Sequence, residues 1–263
     1  MVRLKNSGLP MKFSSTPKAA KQKSISLESS ADPQVIPKKI NCKEKQIMIR
    51  QHYEDDLAEL NREIMKMGLR VEESVNKAVD ALKNKNADLA QQVIDEDDII
   101  DDMEKDLCDK CALIIAREQP VASDLRHLIS GIKIITDIER IADHAVHVAK
   151  GTINMGGEEL LKPLVDIPRM AELGCQMLSR AVAAYVEKDS KEAMIIAAED
   201  KLLDDLHKQV VRELLTYMIS KPQNIEGGLS LMYISRFLER IGDHVRNICE
   251  WVVFAETGEH ENL

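Results

Sequence analysis

The chain has 263 residues, enough for one or two domains with a sizeable core. Aromatic residues make up only 3% and charged residues 31% of the sequence, a composition typical of helical bundles and not of sheets. No stretch approaches the roughly 20 apolar residues of a membrane-spanning helix. The net charge of −9 combines a balance of +8 over residues 1–50 with a balance of −17 over the rest. Such an acidic body repels nucleic acid, so we expect no nucleic-acid partner; it can attract cations or basic protein surfaces.

Residues 1–47 precede the regular helical pattern, and we expect them to form a disordered basic extension. Up to about residue 45 the segment is rich in Lys, Ser and Pro and lacks apolar periodicity. Met48 opens a helical stretch, so a start codon assigned too early explains the extension better than a targeting segment does. The sequence also allows contact between the basic tail and anionic lipid. Five cysteines without a secretory context indicate a reducing cytoplasm.

From Tyr53 onward, apolar spacing and Gly or Pro breaks predict six helices. Pro120 suits the first turn of the third helix, where its missing N–H costs nothing. Gly151 is predicted to end that helix. The six helices cover about residues 52–84, 87–117, 120–150, 166–187, 191–220 and 228–257.

Two motifs recur at nearly the same distance. Residues 139–145 (ERIADHA) match residues 239–245 (ERIGDHV) at five of seven positions, and residues 96–102 (EDDIIDD) match residues 199–205 (EDKLLDD) at four of seven. The offsets are 100 and 103 residues, and both motifs keep their order. A constant offset indicates a duplicated unit. We therefore predict an all-α fold of two tandem three-helix bundles, with domains at residues 48–155 and 156–263.

Acidic residues interrupt the apolar face of the third predicted helix. Glu139 falls on the seam between Ile135 and Ala142, and Asp143 follows one turn later. An ionised carboxylate buried there costs several kcal/mol unless it is protonated, paired or bound to a cation. The second helix adds two more acids at i, i+4 spacing, so the four repel one another unless a divalent or trivalent cation binds. The predicted metal ligands are Asp97, Asp101, Glu139 and Asp143, repeated as Asp200, Asp204, Glu239 and Asp243.

An all-oxygen ligand set favours Mg²⁺, Mn²⁺ or Ca²⁺; iron is also compatible, and zinc is less expected without a His or Cys set. His144 and His244 lie about 100° around the helix from the preceding acid, so they are poor candidates for ligands of these sites. With Lys133, Arg140 and His147, His144 forms another side of the third helix, which we expect to face solvent or a partner.

Two other interpretations compete with a metal-binding regulator. A metal-storage protein or metal-dependent enzyme of the carboxylate-bundle type needs Glu-x-x-His pairs, but Ala142 and Gly242 stand three residues after Glu139 and Glu239. The second interpretation is a structural dimerisation module whose acids are merely solvated. Nucleophile triads and Gly-rich phosphate loops do not occur in the sequence, so we predict no catalytic residues.

The motifs above resemble the PhoU family, together with residues 119–126 (QPVASDLR), 247–253 (NICEWVV) and 257–259 (TGE). The resemblance covers about residues 49–259 and leaves residues 1–47 outside. It implies tandem three-helix bundles that are commonly dimeric and not catalytic, with E/D-x-x-x-D motifs associated with metal clusters at the eight acids named above. Phe237 stands where the first half has Asp137, and we interpret that position as structural and not as a metal ligand.

The resemblance also implies partners. PhoU proteins act in the cytoplasm with the phosphate-specific ABC transporter, where we expect the ATPase subunit to be the contact, and with the phosphate-responsive sensor histidine kinase. They restrain phosphate uptake and hold the phosphate-starvation response off when phosphate is plentiful. Association with the membrane is then expected only through these partners.

Overall fold

Helices make up the regular structure of this computed structural model, which describes residues 42–156, 160–261 and 263. A single 3₁₀ turn, Pro222–Asn224, separates the last two helices. Within the described ranges there is no strand. The helices are α1 (Cys42–Asn84), α2 (Ala87–Asp95), α3 (Asp97–Glu118), α4 (Ser123–Asn154), α5 (Asp166–Glu187), α6 (Ser190–Ser220) and α7 (Ile225–Thr257).

The helices form two three-helix bundles in tandem, as predicted. The first contains α1, the consecutive helices α2 and α3, and α4; the second contains α5, α6 and α7. The bundles lie side by side, with α4 packed along α7 and α1 against α5. Aliphatic residues with little or no exposure fill both, for example Leu60 and Leu128 in the first and Leu203 and Val253 in the second. Burial of these apolar stripes is the main force that holds such helices together.

The duplication is visible in how the helices begin and end. Lys85 and Lys188 stand 103 residues apart, and both adopt the left-handed conformation, with φ of 52° and 59°. The next residues, Asn86 and Asp189, cap the following helices by accepting hydrogen bonds from backbone N–H groups of the first turn. The two halves therefore share turn conformation and capping chemistry as well as helix order.

An ion pair in the first half recurs 103 residues later in the second half. Lys77 Nζ lies 3.1 Å from Glu96 Oε2, and Arg180 Nη1 lies 2.8 Å from Glu199 Oε2. The helix is interrupted at Glu96, whose carboxylate also accepts a hydrogen bond from Gln92. The single second helix predicted from the sequence is therefore α2 plus α3, whereas α6 runs through Glu199 without a break.

Three helix boundaries differ from the prediction. Pro120 precedes α4, which begins at Ser123 after two residues with positive φ, Gln119 and Ala122. Gly151 lies inside α4, where the absence of a side chain lets Ile234 of α7 approach: a β-carbon there would be 3.0 Å from Ile234 Cγ1. At the amino end, α1 begins about ten residues earlier than predicted.

The predicted basic extension lies largely outside the described residues, which begin at Cys42. The backbone of residues 42–47, which we expected to belong to the extension, is helical. This stretch is rich in Lys, Glu and Gln, residues with good helix propensity. The predicted domain boundary at residues 155 and 156 falls in the connection between α4 and α5. No helix in the described part of the chain is long and apolar enough to cross a membrane.

Candidate metal centre

The two glutamates predicted on the apolar seams are buried. Glu139 in α4 is 8% exposed, and Glu239 in α7 is 6% exposed. Ile138 and Ala142 beside Glu139 are fully buried, so the acid lies among aliphatic side chains. The helical period alone places it there, as the sequence predicted.

The first set of acids joins the start of α3 to the middle of α4. Burial, together with the negative charges of Asp101 and Asp143, raises the pKa of Asp97 to about 6. Burial also raises the pKa of Glu139 to about 7, with the charge of Asp143 as the next cause. Asp97, Asp101, Glu139 and Asp143 are therefore close enough to oppose one another's ionisation, as four like charges on adjacent helices must.

Two neighbours modify this first set. Arg140, itself 54% exposed at its side chain, donates a hydrogen bond to Asp143 Oδ2 at 2.7 Å and lowers the pKa of Glu139. Glu104 of α3 raises that pKa and accepts a hydrogen bond from Thr136 Oγ1 at 3.0 Å. Glu104 is a fifth acid that the sequence analysis missed. Its spacing of i+7 from Asp97 is the signal that places it on the same helix face.

The second set lies at the equivalent place between α6 and α7. Asp200 is 6% exposed, and its pKa is raised to about 6, mainly by burial and against the opposing charge of Arg246. The charges of Asp243 and Asp204 contribute to this increase, and both also raise the pKa of Glu239, for which burial is the main cause. The four acids predicted in the second half thus lie near one another as well.

Arg246 distinguishes the second set from the first. Its guanidinium lies 3.3 Å from Asp200 Oδ2 and 3.6 Å from Asp243 Oδ1, so it bridges acids of two helices. The residue 100 positions earlier is Val146, which carries no charge. Sequence analysis missed Arg246, although its i+3 spacing from Asp243 places it on the same face.

A cation is implied by the family resemblance, and the ligand chemistry of the residues present fits one. Glu139 Oε2 and Glu239 Oε2 are both buried without a hydrogen-bond partner in the described structure. Arg140 Nε lies 3.3 Å from Glu139 Oε2, but not in hydrogen-bonding geometry. An unpartnered buried carboxylate oxygen is costly, and it occurs here at the same place in both repeats. Carboxylate oxygens are the ligands that hard cations prefer.

The oxygens of the predicted acids are spaced more widely than the ligands of a single ion. Of the residues that the structure describes, the set with three ligand atoms within 4.8 Å of one another is His52, Asp56 and Glu118, at the other end of α3. Arg117 forms ion pairs with both Asp56 and Glu118 there. These acids already have a cationic partner, so we assign them no metal.

The side of α4 that we expected to face solvent or a partner is only partly covered. Lys133, Arg140 and His147 are exposed, whereas α7 packs on His144, whose ring lies beside those of His244 and Phe237. Phe237 also stacks on His147, and Asp137 accepts a hydrogen bond at 2.8 Å from His244 Nδ1. The positions of Asp137 and Phe237 therefore shape the contact between the two bundles.

Two consecutive matches to the "PhoU domain" family pattern cover residues 64–152 and 167–252, one in each bundle. Together they span more than half of the chain and coincide with the two repeats. The chain belongs to the PhoU family. The match confirms the resemblance inferred from the recurring ERIADH and ERIGDH motifs.

Relatives extend over nearly the whole described region. The Clostridium acetobutylicum "Phosphate-specific transport system accessory protein PhoU homolog" is 35% identical over 217 residues, or 82% of this chain and 99% of that protein. A Pseudomonas aeruginosa protein of the same name is 39% identical over 80% of this chain and 87% of its own length. The Escherichia coli "Phosphate-specific transport system accessory protein PhoU" is 33% identical over 78% and 85%. These relatives are named as accessory proteins.

Solved structures agree with the fold. The crystal structure of PhoU from Pseudomonas aeruginosa superposes with a TM-score of 0.74 at 38% identity, covering 79% of this chain and all of that one. The phosphate transport system regulatory protein PhoU from Streptococcus pneumoniae gives the same TM-score at 29% identity, covering 80% of this chain and all of that one. Sequence and structure thus place this chain among PhoU proteins over both bundles.

Proposed function

We propose that this PhoU protein is the accessory protein of a phosphate-specific transport system, and that it restrains phosphate uptake and represses the phosphate-starvation response. The observation that carries the proposal is the match of both bundles to relatives named for that system, one of them over 99% of its length. The protein acts in the cytoplasm as a homodimer. It contacts the ATPase subunit of the phosphate ABC transporter and the phosphate-responsive sensor histidine kinase, and it reaches the membrane only through them.

Metal binding belongs to this proposal. Each bundle binds divalent or trivalent cations (Mg, Mn, Fe or Zn) between its second and third helices, and the side chains of its four acids close around them from the wider spacing seen here. The unpartnered oxygens of Glu139 and Glu239 support this, because a cation satisfies them and lowers the repulsion among the acids. The bound cation crosslinks two helices and so stabilises the surface that partners recognise.

The protein has no catalytic role in this proposal. A carboxylate-bundle enzyme or metal-storage protein is the alternative, and it needs a Glu-x-x-His pair on each of two helices. Ala142 and Gly242 occupy the required His positions, and both are buried. The third helix of each repeat therefore has no imidazole at the position where a redox-active di-iron centre of this type requires one.

Deletion of the gene in the source cell tests the regulatory proposal. Alkaline phosphatase is expected to be expressed constitutively in high phosphate, and a plasmid copy of the wild-type chain is expected to restore repression. Normal repression in the deletion strain would contradict the proposal.

Complementation with variants connects the metal to regulation. The double variant Glu139→Gln, Glu239→Gln is expected to complement poorly at a protein level equal to the wild type. The matched control is Glu256→Gln, which removes one exposed charge at the end of α7 and should complement fully. Full repression by the double variant would separate the metal sites from the regulatory function.

A further inference from the structure

Large apolar side chains are exposed where α6 leads into α7. Met218 of α6 lies against Gly228 of α7, where a β-carbon would be only 2.7 Å from Met218 Cγ, so the end of one helix meets the start of the next. Near this crossing five apolar residues are more than 40% exposed, and Ile219 (83%) and Tyr233 (65%) are the most exposed of them. We call the five residues the apolar patch: Leu215, Ile219, Ile225, Leu229 and Tyr233.

The apolar patch continues the face of the second bundle that carries the second acid set. Within each helix its residues are four apart, so they form one stripe on α6 and one on α7. Leu215 follows Asp204 by 11 residues, about three whole turns, and Asp243 follows Ile225 by 18 residues, which is five turns. The patch therefore lies beyond these acids, on the same side of both helices, towards the turn that joins them.

The equivalent surface of the first bundle is less apolar. By the offsets of 103 and 100 residues, Ala112, Ala116 and Lys133 stand where the second half has Leu215, Ile219 and Tyr233. All three residues of the first half are exposed as well. Since the first bundle folds with two alanines and a lysine at these positions, the fold does not require the larger apolar side chains of the second. An exposed apolar cluster that folding does not need is typical of a surface that binds another molecule.

Basic residues flank the apolar patch. Arg212 on α6, Lys221 at the turn and Arg236 on α7 all have side chains that reach solvent, although Arg236 also pairs with Glu239. Glu226, at the start of α7, is the exposed acid beside them. The surroundings of the patch are therefore basic on a chain whose net charge is −9. Such a charge pattern selects an acidic partner.

These charges distinguish the molecules that could cover the patch. In a two-fold pair of this chain the same basic residues would face each other, so like charges oppose a second copy at this surface. An anionic membrane would attract the basic residues, but its flat surface would also approach the second acid set on the same face. A narrow protein segment avoids both conflicts. An amphipathic helix, whose apolar anchors recur at one-turn intervals, matches the spacing of the two stripes.

We propose that the apolar patch is the docking surface for an amphipathic helix with acidic flanks that belongs to the ATPase subunit of the phosphate transporter. This inference rests on the proposed function, which names that subunit as a partner, and it adds the surface of contact. Relatives that match both bundles are named as accessory proteins of the transport system, which favours a component of that system. A cation in the second acid set would hold together the two helices that carry the patch.

Calorimetric titration of the purified ATPase subunit with the full-length protein tests the proposal. The triple variant Leu215→Ala, Ile219→Ala, Tyr233→Lys introduces the residues of the first repeat, so its helix content and melting temperature should match the wild type. Its affinity for the ATPase subunit is expected to fall by roughly 30-fold or more. Lys221→Glu should weaken binding about tenfold at low salt and less at high salt, because exposed charges are screened.

The matched control is Leu202→Ala, which removes a leucine that is 54% exposed on another side of α6, beside Arg169 of α5. It should bind the ATPase subunit as the wild type does. Equal binding by the wild type, the triple variant and Lys221→Glu would overturn the surface while leaving the partner in place. A wild type that does not bind the ATPase subunit would overturn both. Binding of the wild type to phosphatidylglycerol vesicles in place of the ATPase subunit, lost in the triple variant, would show a membrane surface and overturn the proposal.

Discussion

The carboxylate of Asp200 occupies the space that a β-carbon at position 242 would need. The helix α7 therefore accommodates this acid of α6 only because residue 242 is glycine. In the first half the equivalent position is Ala142, and the equivalent acid, Asp97, is only half-buried. The deeper burial of Asp200 is thus a direct consequence of the glycine.

The substitution Gly242→Ala is expected to displace Asp200 and to weaken the second metal site. Although alanine favours the helix by about 0.5–1 kcal/mol, the overlap should cost roughly 1–3 kcal/mol, so the free energy of unfolding decreases. Denaturant titration and elemental analysis measure the two effects. Gly68→Ala is the matched control, because its methyl group would meet Val182 at an ordinary 3.5 Å and should stabilise the protein slightly. Equal effects of the two substitutions would contradict the explanation.

Arg246 competes with a cation for Asp200 and Asp243, so we expect the second acid set to bind metal more weakly than the first. Arg246→Val recreates the residue of the first repeat and removes this competitor. The metal affinity of the second set should then rise by about tenfold or more, measured as Mn²⁺ binding in a Glu139→Gln background. Arg212→Val, which removes a charge elsewhere on α6, should leave the affinity unchanged. A weaker second site in Arg246→Val would show that the arginine supports the site.

Much of the site follows from local periodicity. The burial of Glu139 and Glu239 can be predicted from the sequence, because an acid on an apolar stripe must point to the same core as its neighbours. The contribution of Arg246 cannot be predicted from spacing alone, because it depends on how a long side chain reaches across to another helix. The break at Glu96 is likewise absent from the apolar pattern, which continues through it.

Contacts between the bundles were the least predictable feature. The side of α4 that carries His144 is polar in sequence, and most of it is exposed, but α7 covers His144 itself. The burial of that one residue depends on which face of α7 packs against it, and helix periodicity contains no information on that choice. The same limit applies to Tyr185, whose partner His127 lies in the other bundle.

Tyr185 and Gly131 should be energetically coupled across the contact between the bundles. The Tyr185 hydroxyl donates a hydrogen bond at 2.9 Å to the backbone oxygen of His127, and it occupies the space beside Gly131. Tyr185→Phe should therefore cost about 1 kcal/mol, and Gly131→Ala roughly 1–3 kcal/mol. Tyr185→Phe removes the hydroxyl oxygen that the alanine β-carbon at position 131 would overlap. In the double variant, Gly131→Ala should therefore lower the free energy of unfolding by less than it does alone. Strictly additive free energies of unfolding would contradict this packing.

His127 should make the protein less stable in mild acid. Its ring is 2% exposed and stacks on Tyr185 with centroids 4.3 Å apart, and neither ring nitrogen has a hydrogen-bond partner in the described structure. Burial, with a smaller contribution from the charge of Lys188, lowers the pKa of His127 from 6.5 to about 4. Between these values the unfolded chain binds a proton that the native chain does not, so stability decreases as the pH falls from about 6.5 to about 4.

The substitution His127→Phe removes this proton linkage while keeping an aromatic ring in the core. Metal-free wild type and variant are compared by denaturant titration at pH 7.5 and pH 5, so that the acid sets titrate equally in both proteins. The loss of stability between these two pH values should be smaller in the variant by about 2 kcal/mol, which is the linkage that a buried neutral histidine contributes at pH 5. The comparison at pH 7.5, where the imidazole is neutral in the folded protein and largely neutral in the unfolded chain, isolates the packing effect of the new ring. An identical pH dependence in the two proteins would contradict this prediction. It would mean that His127 binds a proton as readily in the folded state as in the unfolded chain.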